Sequence, residues 1–190
     1  MATNARVWLP VLIVLLGGSV GGSMFGLVIH AKHTKTLRFN ADDAKDFSSR
    51  ALREIYTAEI GVREATGRND GPRVAEYLAY CGLNKGYEWC AAFVSWCYGQ
   101  AGYAQPRNAW AAALFPAGKT IWTKGQGWKG QRKGDVFGIY IASKKRIGHC
   151  GFVDAWDGSW LLTVEGNVDN AVVRKRRAVR TIHAVARWTN

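Results

Sequence analysis

The first forty residues and the rest of the chain follow different rules of hydrophobic order. From Val7 to Ile29 the sequence VWLPVLIVLLGGSVGGSMFGLVI carries no charge over 23 residues, and at about 1.5 Å per residue such a helix spans roughly 35 Å, enough to cross a bilayer. Residues 1–6 read as a short tail, 7–29 as a membrane anchor or signal-anchor, and 30–40 as a linker. A cleaved signal peptide is the competing reading, but only Arg6 precedes the run and no clean small-x-small site follows it. Gly17, Gly18, Gly21, Gly22 and Gly26 dilute the span and give small residues four apart. By charge alone, Lys32, Lys35 and Arg38 would hold the following side in the cytoplasm.

Beyond the linker the period becomes helical. Ala44, Phe47, Ala51, Ile55 and Ala58 recur at steps of three or four, starting near the capping candidates Asn40 and Asp42 and stopping before Gly61. A second helix is predicted from Pro72 to Cys81, with Gly82 as its stop. A third, from about Trp89 to Gln100, is apolar nearly all round and should be buried. Tyr103 to Lys133 reads as a long irregular stretch rich in tryptophan and glycine, and loops of that length usually carry function.

The last third changes period again. The segments DVFGIYIA, HCGFVDAW, SWLLTVEGNV, AVVRKRRA and IHAVARW are short runs enriched in β-branched and aromatic residues, with Gly, Asp and Asn between them. They predict five strands in a meander. Helices first and strands after predict an α+β domain at 41–190, an antiparallel sheet packed on the buried helix. About 150 residues is the usual size of one domain.

Charge adds +12 net, from 26 Lys and Arg against 14 Asp and Glu. Such a surface attracts polyanions without choosing among them, and the basic runs within Arg132 to Lys145 and Arg174 to Arg177 read as solvated faces. Nucleic-acid binding has only this charge behind it and is not expected. Cys81, Cys90, Cys97 and Cys150 lack the paired close spacing of a structural zinc site, so no metal and no cofactor are expected. If Cys90 stays a thiol, at most one disulfide can form among the other three.

Cys90 falls at the start of the buried helix, where unpaired amides and the helix dipole favour a thiolate; Cys97, deeper in the helix, reads as core. Of four histidines, His30 and His33 flank the apolar span and His183 lies in a terminal strand, which leaves His149, at a strand start, as the best placed base. Thiolate catalysis needs an imidazole and a third group to hold it. Glu165 and Asn167, two apart on the next strand, share a face and could both meet the ring, though Gly166-Asn167 also reads as a turn.

The blocks Trp89-Cys90-Ala91-Ala92-Phe93-Val94-Ser95-Trp96, Lys133-Gly134-Asp135-Val136, Gly148-His149-Cys150-Gly151-Phe152 and Glu165-Gly166-Asn167, in that order, resemble the CHAP family of cysteine amidohydrolases and peptidases. The resemblance covers about Ala58 to Trp188. It implies a papain-like fold, Cys90 as nucleophile, His149 as base, and Glu165 with Asn167 as the groups that orient and stabilise the imidazolium. The implied substrate is peptidoglycan, cut at a stem-peptide or cross-bridge amide or at the muramoyl-alanine bond. Gly61-Val62-Arg63-Glu64-Ala65-Thr66-Gly67 with Asn69 also resembles the opening of one CHAP-like branch, which puts Glu64 on the substrate groove; a helix-end carboxylate is the other reading.

Two departures stand out: many members carry glutamine where this chain has Trp89 and valine where it has Cys150. Trp89 is counted with the substrate-binding residues, as is Trp110, on a loop that with Trp122 and Trp128 reads as a groove wall or, equally, as core. Cys150, one residue from His149 on a strand, should point to the opposite face and be core. The resulting expectation is a monomeric, membrane-anchored wall hydrolase of bacterial or phage origin, its catalytic domain on the periplasmic or cell-wall side. A phage enzyme released from its anchor, and a catalytically silent wall- or partner-binding module, are the alternatives.

Overall fold

The computed structural model describes residues 41–127 and 129–189. The apolar span at 7–29, the linker, His30, His33 and Trp128 lie outside the described residues; among those described, no helix is long and apolar enough to cross a membrane.

Three helices come first: α1 at Ala41–Ala58, α2 at Pro72–Tyr80 and α3 at Cys90–Gln100. For the first nine residues of α1 only the backbone is described. Helix α2 starts on Pro72, whose missing N–H costs nothing in a first turn. Helix α3 is buried along most of its length, from Cys90 to Ser95 and at Cys97 and Tyr98, as an all-round apolar helix must be.

Six antiparallel strands follow, β1 Thr120–Thr123, β2 Val136–Ile141, β3 Arg146–Trp156, β4 Trp160–Val168, β5 Ala171–Ala178 and β6 Ala184–Ala186, in the order β1-β6-β2-β3-β4-β5. The expected five-strand meander therefore holds only from β2 to β5. Strand β6 returns across the sheet to pair with β2 on one side and β1 on the other. Strand β1, with a short 3-10 turn at Ala111–Leu114, lies inside the stretch expected to be irregular. Four residues of TIWT are too short for an alternation to register, and Val185 of β6 and Trp122 of β1 meet only in the fold, in a shared apolar cluster.

The mixed helix and antiparallel-sheet fold has two apolar layers that follow strand alternation. Val136, Cys150, Phe152, Val164 and Val172 pack with α3, and Phe137, Val153, Leu161, Val185 and Trp122 form a cluster on the other face. Helix α3 presses on β4 at Gly166, where a Cβ would lie 2.8 Å from both Phe93 Cβ and Trp89 Cζ3. Helix α1 packs through Tyr56, stacked on Phe152 at 4.4 Å. It is tied to the sheet by Asp154, which accepts from Arg53 Nε at 2.8 Å, Tyr56 Oη at 2.9 Å and Arg174 Nη1 at 2.5 Å. These contacts fix α3 against β3 and β4, the three elements that carry the candidate site.

Candidate active site

Cys90 is the first residue of α3 and 5% exposed. No side chain caps that helix, so its leading amides remain available to an anion. The Cys90 thiol interacts with the ring of His149, on β3, and with the thiol and backbone amide of Cys150. The hydrogen bond from Cys150, against complete burial and with help from His149, holds the Cys90 thiol well below the ordinary thiol range.

His149 Nε2 and Glu165 Oε2 are 2.8 Å apart, which leaves Nδ1 of the ring for the thiol side. The pairing Phe152↔Val164 puts Glu165 across from Gly151, and a Cβ on Gly151 would come 3.0 Å from Glu165 Cγ. The bare backbone there lets the carboxylate cross β3 toward His149. Burial disfavours a charged ring, but the hydrogen bonds to Cys90 and Glu165 outweigh it and raise His149 to about 9. Burial likewise opposes ionised Glu165, but His149 and Arg177 bring it down to about 2. These shifts favour an imidazolium at His149 and a carboxylate at Glu165 near neutral pH, and they move Cys90 toward its thiolate.

Two partners complete the carboxylate. Arg177 Nε donates to Oε1 at 2.9 Å and Nη2 to Oε2 at 2.6 Å, and Thr163 Oγ1 donates to Oε1. Arg177 sits in the basic run of β5 expected to be a solvated face. Instead Arg174 is spent on Asp154 and Arg177 on Glu165, while Lys175 and Arg176 pair with more exposed Asp169 and Asp157.

The remaining expected residues divide. Asn167 lines the same 370 Å³ cavity as Cys90 and His149, but its backbone is left-handed (φ 59°) at an irregularity between Glu165 and Val168, and no hydrogen bond joins it to the ring. Trp89, expected on the substrate, has no exposed surface. Its indole Nε1 donates to Glu64 Oε1 at 2.8 Å, and Glu64 Oε2 accepts from the Asn69 amide at 2.8 Å. Glu64 is thus consumed in bracing the residue before Cys90 and a loop that lines the cavity. Trp110 is 54% exposed, lines a neighbouring 640 Å³ groove and stacks under Arg146, whereas Trp122, readable as groove wall or as core, is buried. Cys150 is core, as alternation requires, but α3 begins on that face and so its thiol meets Cys90.

The two cavities share Asn69 and Glu88, and the smaller one is also lined by Lys144. Glu88, Lys144 and Arg177 were not distinguishable in sequence from ordinary surface polar residues, and Asn69 stood out only as part of the segment that resembles a CHAP-like opening. Among the described residues all four cysteines are free, and no group of three or more His, Cys, Asp and Glu could hold a metal.

Residues 82–167 match the CHAP domain. No curated protein matches the sequence. Similar solved structures include Ly7917, at 17% identity and TM-score 0.44 over 75% of this chain and 63% of that one. The resuscitation promoting factor interacting protein RipA is similar in two mutated forms: one at 15% identity and TM-score 0.44, covering 79% of this chain and 65% of that one, the other at 16% and 0.46, covering 76% and 63%. The chain spans less than two thirds of each of these.

Proposed function

We propose, from the match of residues 82–167 to the CHAP domain, that the chain is a peptidoglycan hydrolase of the cysteine amidohydrolase or peptidase type. The observation that carries the reading is the series Cys90, His149, Glu165, whose first two members line a 370 Å³ cavity and whose buried acid end is locked by Arg177.

In the proposed cycle the Cys90 thiolate attacks the carbonyl carbon of a wall amide. The developing oxyanion takes hydrogen bonds from the uncapped amides at the start of α3. His149, already protonated, gives its proton to the departing amine as the C–N bond breaks, leaving a thioester on Cys90. A water molecule, deprotonated by the now neutral His149, attacks the thioester, and the thiolate and imidazolium are restored. Glu165 stays ionised throughout and holds the ring. Asn167 enters as a polar contact on the cavity wall, and Trp110 as a substrate contact in the adjoining groove. Residues 7–29 enter as a membrane tether that keeps the domain beside the wall, on the periplasmic or cell-wall side.

The test is digestion of purified peptidoglycan by the full-length chain and by Cys90→Ala, with products read by mass spectrometry. Muropeptide fragments from the wild type alone are the expected result, and their masses distinguish amidase from endopeptidase. Intact wall with both proteins, across several wall chemistries, overturns the reading.

A further inference from the structure

Glu88 and Lys144 form an ion pair on the lining of the cavity that also holds Cys90 and His149. The two come from different parts of the chain. Glu88 lies two residues before Cys90, in the loop leading into α3, and Lys144 ends the short 3-10 turn between β2 and β3, five residues before His149. The lysine stem lies along bare backbone, since a Cβ on Gly148 would come 3.0 Å from Lys144 Cδ. Both charged ends are open to solvent, Glu88 at 59% and Lys144 at 31%.

A pair so exposed to water and salt adds little to stability. It is therefore a poor brace for the fold and an easy one to separate. What could separate it follows from charge balance. A ligand with a single carboxylate would take Lys144 and leave Glu88 facing added negative charge, and a ligand with a single ammonium would do the reverse. A ligand with both satisfies both side chains and leaves the site neutral.

We propose that Glu88 and Lys144 are a binding site for a zwitterionic group of the substrate, an ammonium and a carboxylate on one residue, held within a residue or two of the amide that Cys90 attacks. The ligand carboxylate replaces Glu88 on Lys144, and the ligand ammonium replaces Lys144 on Glu88. In a wall peptide that chemistry belongs to a diamino acid with its second amine and carboxylate free. The proposal rests on the hydrolase reading and adds to it the class of peptide preferred.

Three synthetic stem peptides test it, alike except that the diamino acid is free, amidated on its carboxylate, or acetylated on its amine. Binding to full-length Cys90→Ala is measured by calorimetry and turnover by the wild type by chromatography, each repeated with Lys144→Met and Glu88→Gln. The free peptide is expected to bind about tenfold more tightly than either blocked one, the loss of one charge-assisted contact. Lys144→Met should erase the difference between free and amidated peptides, and Glu88→Gln that between free and acetylated, with the change in KM rather than kcat. Equal affinity for all three peptides overturns the proposal, as does a variant that speeds or slows all three alike, which would make the pair a gate. If the peptides bind as expected but the wild type cuts none of them, the binding site stands and the hydrolase reading fails.

Discussion

Arg177 grips Glu165 with two parallel hydrogen bonds, Nε to Oε1 at 2.9 Å and Nη2 to Oε2 at 2.6 Å, while the same Oε2 lies 2.8 Å from His149 Nε2. Glu165 is fully buried and Arg177 is 27% exposed. The forked geometry fixes the plane of the carboxylate and so the direction in which it offers an oxygen to the ring. Arg177 is thus a positioning residue that acts through Glu165. Arg177→Met should lower kcat about tenfold or more and stability by about 2–3 kcal/mol, with KM unchanged. Arg177→Lys, which restores the charge but not the fork, should recover much of the stability and little of kcat. Equal recovery of both by lysine would reduce the role to charge compensation.

The pH dependence follows from the shifted groups. His149 is raised from 6.5 to about 9, so the imidazolium contributes stability that is complete below about pH 6.5 and lost as pH rises through 9. Glu165 is lowered from 4.5 to about 2, so its contribution is present above about pH 4.5 and lost as pH falls through 2. In the proposed cycle the imidazolium protonates the leaving amine, so kcat should stay level through neutrality and fall on the alkaline side near pH 9. An alkaline fall near pH 6.5 would mean that the ring is not held by Glu165 and Cys90.

Cys150 is the unusual neighbour. Its thiol is the largest influence depressing the Cys90 thiol, and burial raises its own. Replacing it with valine keeps the packing and removes the donor. In Cys150→Val the pH at which Cys90 becomes reactive toward iodoacetamide should move up, while the backbone amide of residue 150 still supports part of the thiolate. An unmoved alkylation profile would show that the Cys150 S–H does not face Cys90.

Gly166 is a packing prediction. A methyl there would stand 2.8 Å from Phe93 Cβ and Trp89 Cζ3, both fully buried, so Gly166→Ala must push α3 off β4. Overpacking of this kind costs about 1–3 kcal/mol, which a thermal melt should show as a lowered Tm. Because α3 carries Cys90 at its first residue and β4 carries Glu165, activity should fall further than stability alone explains.

These particulars show where the sequence was legible. The starts of α2 at Pro72 and of α3 beside Cys90 were marked by local signals, a proline and the onset of an all-apolar run, and both stand where those signals put them. Strand alternation also predicted that Cys150 would face the core. What it could not supply was the route of α3, which decides that Cys90 meets that same thiol. Strand β6 escaped the expected meander because pairing of Ala184–Ala186 between β1 and β2 is a long-range choice, set by Trp122, Phe137 and Val185 packing together. Trp89 was counted with the substrate contacts, and Glu64 was placed on the groove by the resemblance or read as a helix-end carboxylate; the fold joins the two to each other. Arg177 was hidden in a run of four basic residues because only the pairing of β4 with β5 separates those turned toward buried carboxylates from those facing solvent.

In the proposed cycle Cys90 forms a covalent bond to the substrate. Mixing the full-length chain with a wall peptide, quenching in acid within milliseconds to seconds and measuring the intact protein mass would trap that bond. A species heavier by the acyl fragment, mapped by digestion to Cys90 and absent in Cys90→Ala, is the predicted result. Release of the same fragments by Cys90→Ala at the wild-type rate, with no adduct in either protein, would contradict it.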